Sequence, residues 1–167
     1  MRWATRAGIH VDRTACAWLI RRCIDPQADF VFVASGTDPA MLDGHTFDMR
    51  GGEYSHMGEH CTFEILLERH HLQSDPALVE LGRIIREADV PPRRRTRVEA
   101  DGLNALMRGF QRSTSNDDEK LRLTAPVYDA LYAYCQAKVA EQPHPHGTPR
   151  PALQYQRLVA IHLEEDE

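Results

Sequence analysis

The 167-residue chain is 42% apolar and 27% charged, the values of an ordinary globular protein, which exclude wholesale disorder and allow one core without covalent staples. Its formal net charge of −5 argues against a nucleic-acid partner, because phosphate binding is driven by clustered Lys and Arg. No apolar run approaches the ~20 residues that cross a bilayer, and His10, Asp12 and Arg13 interrupt any signal-peptide core, so a soluble, cytoplasmic protein is expected.

Residues 3–12 carry β-branched and aromatic side chains in loose alternation and predict a first strand. Asp12 or Thr14 then caps a helix over 15–24, in which Ala15, Trp18, Leu19 and Cys23 recur at helical spacing and which Asp25-Pro26 ends. Residues 29–33, Asp-Phe-Val-Phe-Val, predict a second strand beside the first in a strand–helix–strand unit. A turn-rich loop over 36–44 and a short strand over 46–49 follow. Gly51-Gly52 marks a break where the backbone takes positive φ or approaches something closely.

Helices are expected over 59–70, with Phe63, Leu66 and Leu67 inward, over 76–88, with Leu78, Leu81, Ile84 and Ile85 inward, and over 103–111. Asp75-Pro76 supplies the N-cap and first helical residue of the second of these. A last long helix runs from about 116–119 to 140, with Leu121, Thr124, Tyr128, Leu131 and Cys135 in one stripe and a kink at Pro126. The fold class is therefore mixed α/β, a small sheet from the N-terminal third packed by about five helices. Residues 1–141 form the domain; 142–167 read as a proline-rich linker and an amphipathic tail.

The four cysteines contain no C-x-x-C pair and read as free thiols, with Cys16 and Cys23 on one helix face as small core fillers. Arg93-Arg94-Arg95-Thr96-Arg97 lacks interleaved aromatics and reads as a solvated loop.

The chemistry concentrates in the segment from Asp48 to Glu64, which holds two histidines, four carboxylates and a cysteine. His56, His60 and Glu64 are spaced by four, so in a helix they share a face and can reach one ion; a helix starting near Glu59 would instead leave His56 on the preceding loop. His10 and Asp12, two apart on the predicted strand, share a face at its C-terminal end, where α/β sheets place ligands. With Glu53 they complete a candidate ligand set for one transition-metal ion, Zn²⁺, Fe²⁺ or Mn²⁺, with positions left for water or substrate. The plainer alternative makes His60 an ordinary first-turn histidine and Glu59 and Glu64 favourable charges at a helix N-terminus. Asp129 and Tyr132 are neighbours on the last helix, either a catalytic pair or a hydrogen-bonded core tyrosine, and Arg13 is a candidate for holding an oxyanion.

His10-Val-Asp-Arg13, Ala15-Cys-Ala-Trp-Leu-Ile-Arg-Arg22, Asp25-Pro26, Phe47-Asp48, Glu53, His56, Gly58, Cys61-Thr-Phe-Glu64 and Tyr128-Asp-Ala-Leu-Tyr-Ala-Tyr-Cys135 occur in an order that resembles the C-terminal domain of the ChrB-type chromate-resistance proteins over residues 2–139. The resemblance implies a role in chromate resistance or in regulating chromate export, and points to His10, Asp12, Glu53, His56 and Glu64 as site residues. Longer members carry a separate N-terminal domain that this chain lacks, which weakens a transcriptional-regulator reading. Two readings follow: a metal-binding sensor or resistance module for an ion or oxyanion, and a metal-dependent enzyme acting on a small molecule. Self-association as a homo-oligomer stays open.

Overall fold

Trp3, Ala4 and Thr5 are buried in succession, the signature of a central strand covered on both faces. In the computed structural model, which describes residues 1–90 and 96–141, they lie in β1 (Arg2–Arg6). β1 pairs in parallel with β2 (Asp29–Val33) on one side and β3 (His45–Thr46) on the other, giving the order β2-β1-β3. After α1 the chain returns to one edge of β1 and then crosses to the other. The crevice between β1 and β3 is therefore the point where strand order reverses, and such crevices hold ligands at the carboxyl ends of the strands.

The first strand ends at Arg6, six residues short of the expected end. Asp117 takes the chain out of the sheet: its carboxylate accepts the amides of Gly8 at 2.7 Å and Ile9 at 3.2 Å. Residues 11 and 12 accordingly belong to α1 (Val11–Leu19), which starts earlier than its periodicity indicated. α1 widens into a π turn (Ile20–Ile24), where the Asp25 amide reaches the Ile20 carbonyl five residues back. That shift in register leaves Cys23 exposed, whereas Cys16 is buried as expected.

α2 (Thr62–Arg69) begins three residues later than expected. α3 (Pro76–Asp89) has the predicted cap, with the Asp75 carboxylate accepting from Ala77 and Leu78. α4 (Glu99–Ser113) extends beyond the predicted 103–111 at both ends, and α5 (Asp117–Glu141) continues through Pro126, which is exposed. Among the described residues the mixed α/β fold is thus a short parallel sheet with five α-helices. α3 packs against α1, α2, α4 and α5 and forms the centre of the helical layer. The core runs from Trp3, Ile9 and Phe47 through Phe63 and Leu66 to Ile84, Ile85 and Tyr128. Tyr128 Oη donates to the Val11 carbonyl at 2.8 Å, so α5 holds the first turn of α1 in place.

Arg97, read from sequence as part of a solvated loop, instead closes on two buried carboxylates of α3, at 3.1 Å from Glu80 and 3.2 Å from Glu87. Arg93, Arg94 and Arg95 lie outside the described residues, as do the linker and tail over 142–167. Among the described residues no helix is long and apolar enough to cross a membrane.

Asp117 and Lys120 form an ion pair at 2.9 Å with side chains only 7% and 4% exposed. Asp117→Ala removes the acceptor for two loop amides and strands a buried ammonium, which should destabilise the protein by about 3 kcal/mol. Urea unfolding should show it as a lower midpoint with the same slope; a loss below about 1 kcal/mol would mean that the loop into α1 is held by other contacts.

Candidate functional site

Asp12 is the second residue of α1 and is 1% exposed. A carboxylate that deep requires partners. Its Oδ2 accepts the Thr62 amide at 2.8 Å and its Oδ1 the Phe63 amide at 3.1 Å, both from the first turn of α2. α1 thereby caps α2, and α2's unpaired N–H groups are satisfied by a side chain from a different helix.

His56 sits on the loop before α2, the second of the two geometries its spacing allowed. Its Nε2 lies 2.9 Å from Asp12 Oδ2, 3.2 Å from Asp48 Oδ1 and 3.9 Å from Asp89 Oδ2. Asp48 follows β3 at the carboxyl edge of the sheet and takes φ +47°, a left-handed conformation uncommon outside glycine. The Thr62 hydroxyl donates to it at 3.1 Å, and Arg13 Nε stands 2.9 Å from its other oxygen as an ion pair without an in-line hydrogen bond. Asp89 is the last residue of α3. Next to this group Gly51 has φ +80°, and a side chain at Gly52 would come within 2.9 Å of Thr46 Oγ1. Both consequences expected of the Gly51-Gly52 break are present.

Three carboxylates facing one imidazole set the electrostatics. The hydrogen bonds to Asp12 and then Asp48 push the His56 imidazolium up to about 10, outweighing the burial that opposes it. Burial, followed by the charges of Asp12 and Asp48, pushes Asp89 up to about 6. His10 moves the opposite way: burial and then Arg108, Arg13 and Lys120 lower it, favouring the neutral ring. Burial beside Asp12 also raises the thiols of Cys16 and Cys61 well above the ordinary cysteine value, so neither is a ready thiolate.

Among the described residues, Asp12, His56 and Asp89 present ligand atoms that all lie within 4.8 Å of one another. Of the residues singled out in sequence, Asp12 and His56 are brought together. His10 lines the same cavity, on α1's N-cap rather than on a strand, without joining that group. Glu53 is held by His45 at 2.7 Å on the exposed side of β3. His60 is 61% exposed and lies 3.4 Å from Glu64. Glu64 closes a capping box on the Cys61 amide and pairs with Arg86 at 3.1 Å, which matches the helix-start alternative. Arg13 lines the cavity. Asp129 accepts from Trp18 Nε1 at 2.7 Å and Arg22 at 2.6 Å, and Tyr132 donates to Asp75 at 2.5 Å; neither lines that cavity.

Asp48 and Asp89 also stand against His56, and the sequence reading does not single them out as candidate ligands. Asp48 stood inside the segment singled out, and its place just after a short strand was the available signal. Asp89 stands at a helix C-terminus, where the macrodipole disfavours an acid, and that misplaced charge could have marked it.

The fold and the site define a small α/β domain whose reversing strand edge carries a pocket of two histidines and three aspartates. A family model described as "ChrB, C-terminal domain" matches residues 3–135. The chain belongs to that family. Protein ChrB of Cupriavidus metallidurans is 40% identical over 133 residues, which make up 79% of this chain and 40% of that protein. The chain thus spans less than half the length of that relative. No solved structure matches.

Because its folded value is raised from 6.5 to about 10, His56 contributes stability that is complete below about pH 6.5 and is lost as pH rises toward 10. Asp89 acts in the same sense at lower pH, its contribution fading as pH passes about 6. In metal-free buffer the Tm advantage of wild type over His56→Asn should therefore be largest near about pH 6 and shrink toward about pH 10. A pH-independent gap would show that His56 is not the counter-ion of the aspartates.

Proposed function

We propose that this chain is a metal-binding module linked to chromate resistance or its regulation, holding one divalent transition-metal ion on Asp12, His56 and Asp89. The observation that carries this reading is the meeting of three carboxylates at a single imidazole nitrogen. Such a group holds excess negative charge unless a cation is present, and in the metal-free protein the His56 proton and Arg13 are the cations that offset it. A divalent ion replaces that proton. The donor set is compatible: each Asp12 oxygen keeps acceptor capacity beyond its α2 amide, and one imidazole among carboxylates suits Mn²⁺ or Fe²⁺ as well as Zn²⁺. Thr62 and Arg13 then serve as the outer partners that orient Asp12 and Asp48.

Membership of the ChrB family supports the chromate link, and the free thiols fit a reducing cytoplasm. A metal-dependent enzyme is the second reading. It is favoured by the open cavity of about 370 Å³ beside the site, enough space for a small substrate next to the ion.

Elemental analysis after reconstitution should find one ion per chain in wild type. His56→Asn and Asp89→Asn should each lose it on dialysis, and Asp48→Asn should weaken it about 10–100-fold. His60→Asn and Glu53→Gln should retain it. Loss of metal in either of the last two, with retention in His56→Asn, would move the ion out of the pocket and into the loop.

A further inference from the structure

The same cavity is also lined by cationic side chains that are under-used. Arg6 ends β1, His10 follows it at the start of α1, and Arg50 lies past β3; all three line the cavity. Arg6 Nε and His10 Nε2 are buried nitrogens with no hydrogen-bond partner among the described residues. Arg13 Nε, also buried, has its charge met by Asp48 but no in-line acceptor. Among the described residues neither Arg6 nor Arg50 has a carboxylate partner. A buried donor left unmade is destabilising, and several around one open space signal an acceptor-rich ligand.

The size of the space says which kind. At about 370 Å³ it falls in the range of small organic ligands, roughly 300–1,000 Å³. A bare tetrahedral oxyanion occupies a few water volumes of ~30 Å³ and would leave most of it empty. Met49 touches the cavity but is 2% exposed, so it offers a narrow apolar edge rather than a face.

We propose that the cavity binds a small organic acid, with a phosphate or carboxylate head group on Arg6, His10 and Arg50 and its carbon skeleton against the edge of Met49. The proposal rests on the metal-site reading for the charge of the aspartates, since a resident cation there removes the repulsion between them and the anion. Guanidinium groups suit either head group, because each offers paired N–H donors to paired oxygens. His10 Nε2, buried and without a partner among the described residues, adds a further hydrogen bond.

Isothermal titration of metal-loaded and EDTA-treated protein with phenyl phosphate, benzoate and inorganic phosphate tests this, with metal content measured on each sample. One of the two organic probes should bind the loaded protein about tenfold or more tighter than inorganic phosphate, and the winner identifies the head group. Arg6→Met and the exposed Arg50→Met should each weaken that probe about tenfold with unchanged metal content. Equal affinity for inorganic phosphate, absent heat with both organic probes, or wild-type affinity in both arginine variants overturns the proposal. If the protein retains no metal yet an organic probe still binds the EDTA-treated form, the metal reading fails and the organic-acid site stands; if neither binds, both fall.

Discussion

The structure around the pocket depends on the carboxylate of Asp12. It is almost wholly buried, and its charge is tolerable only because two amides of α2 and the imidazole of His56 converge on it. It joins the first turn of α1 to the first turn of α2, and the His56 loop lies between β3 and that second turn. A substitution that removed the charge would leave α2's N–H groups unpaired and His56 without its nearest acceptor. The same atoms stabilise a helix junction and form the floor of the site, so structural and functional roles are not separable at this residue.

The sheet contributes position more than mass. With three short strands it cannot bury a core alone, but its parallel order places the ends of β1 and β3 side by side at the reversal point. β1 leads to Arg6, His10 and Asp12, and β3 leads to Asp48 and Arg50. The central helix α3 then brings Asp89 in from its C-terminal end, where the helix dipole offers it no help and its carboxyl is raised. The result is a pocket of mixed charge, lined by three aspartates and two histidines together with Arg6, Arg13 and Arg50.

Much of the fold was legible because its elements carry clean local signals. Asp75-Pro76 is a strong helix start and holds, and Asp-Phe-Val-Phe-Val is a strand. Failures came where a distant partner decides the backbone. The first strand was read six residues too long because Asp117, 109 residues from Gly8, withdraws the chain from the sheet. His10 and Asp12 were accordingly placed on a strand face, although their location at its carboxyl end was right. Within the candidate site, Asp12 and His56 were found through residue type and local clustering. His60, Glu53 and Glu64 have the same chemistry in sequence but are occupied by Glu64, His45 and Arg86 respectively. Asp89 lies 33 residues beyond His56 on another helix, and spacing alone carries no information across that distance.

X-ray absorption on the metal-loaded protein tests the central claim most directly, because it reports ligand types around the ion itself. The account predicts a shell of oxygen and nitrogen scatterers at ~2.0–2.2 Å containing one imidazole. A sulfur scatterer at ~2.3 Å, placing Cys16 or Cys61 on the ion, or a shell with two or more imidazoles, would contradict it.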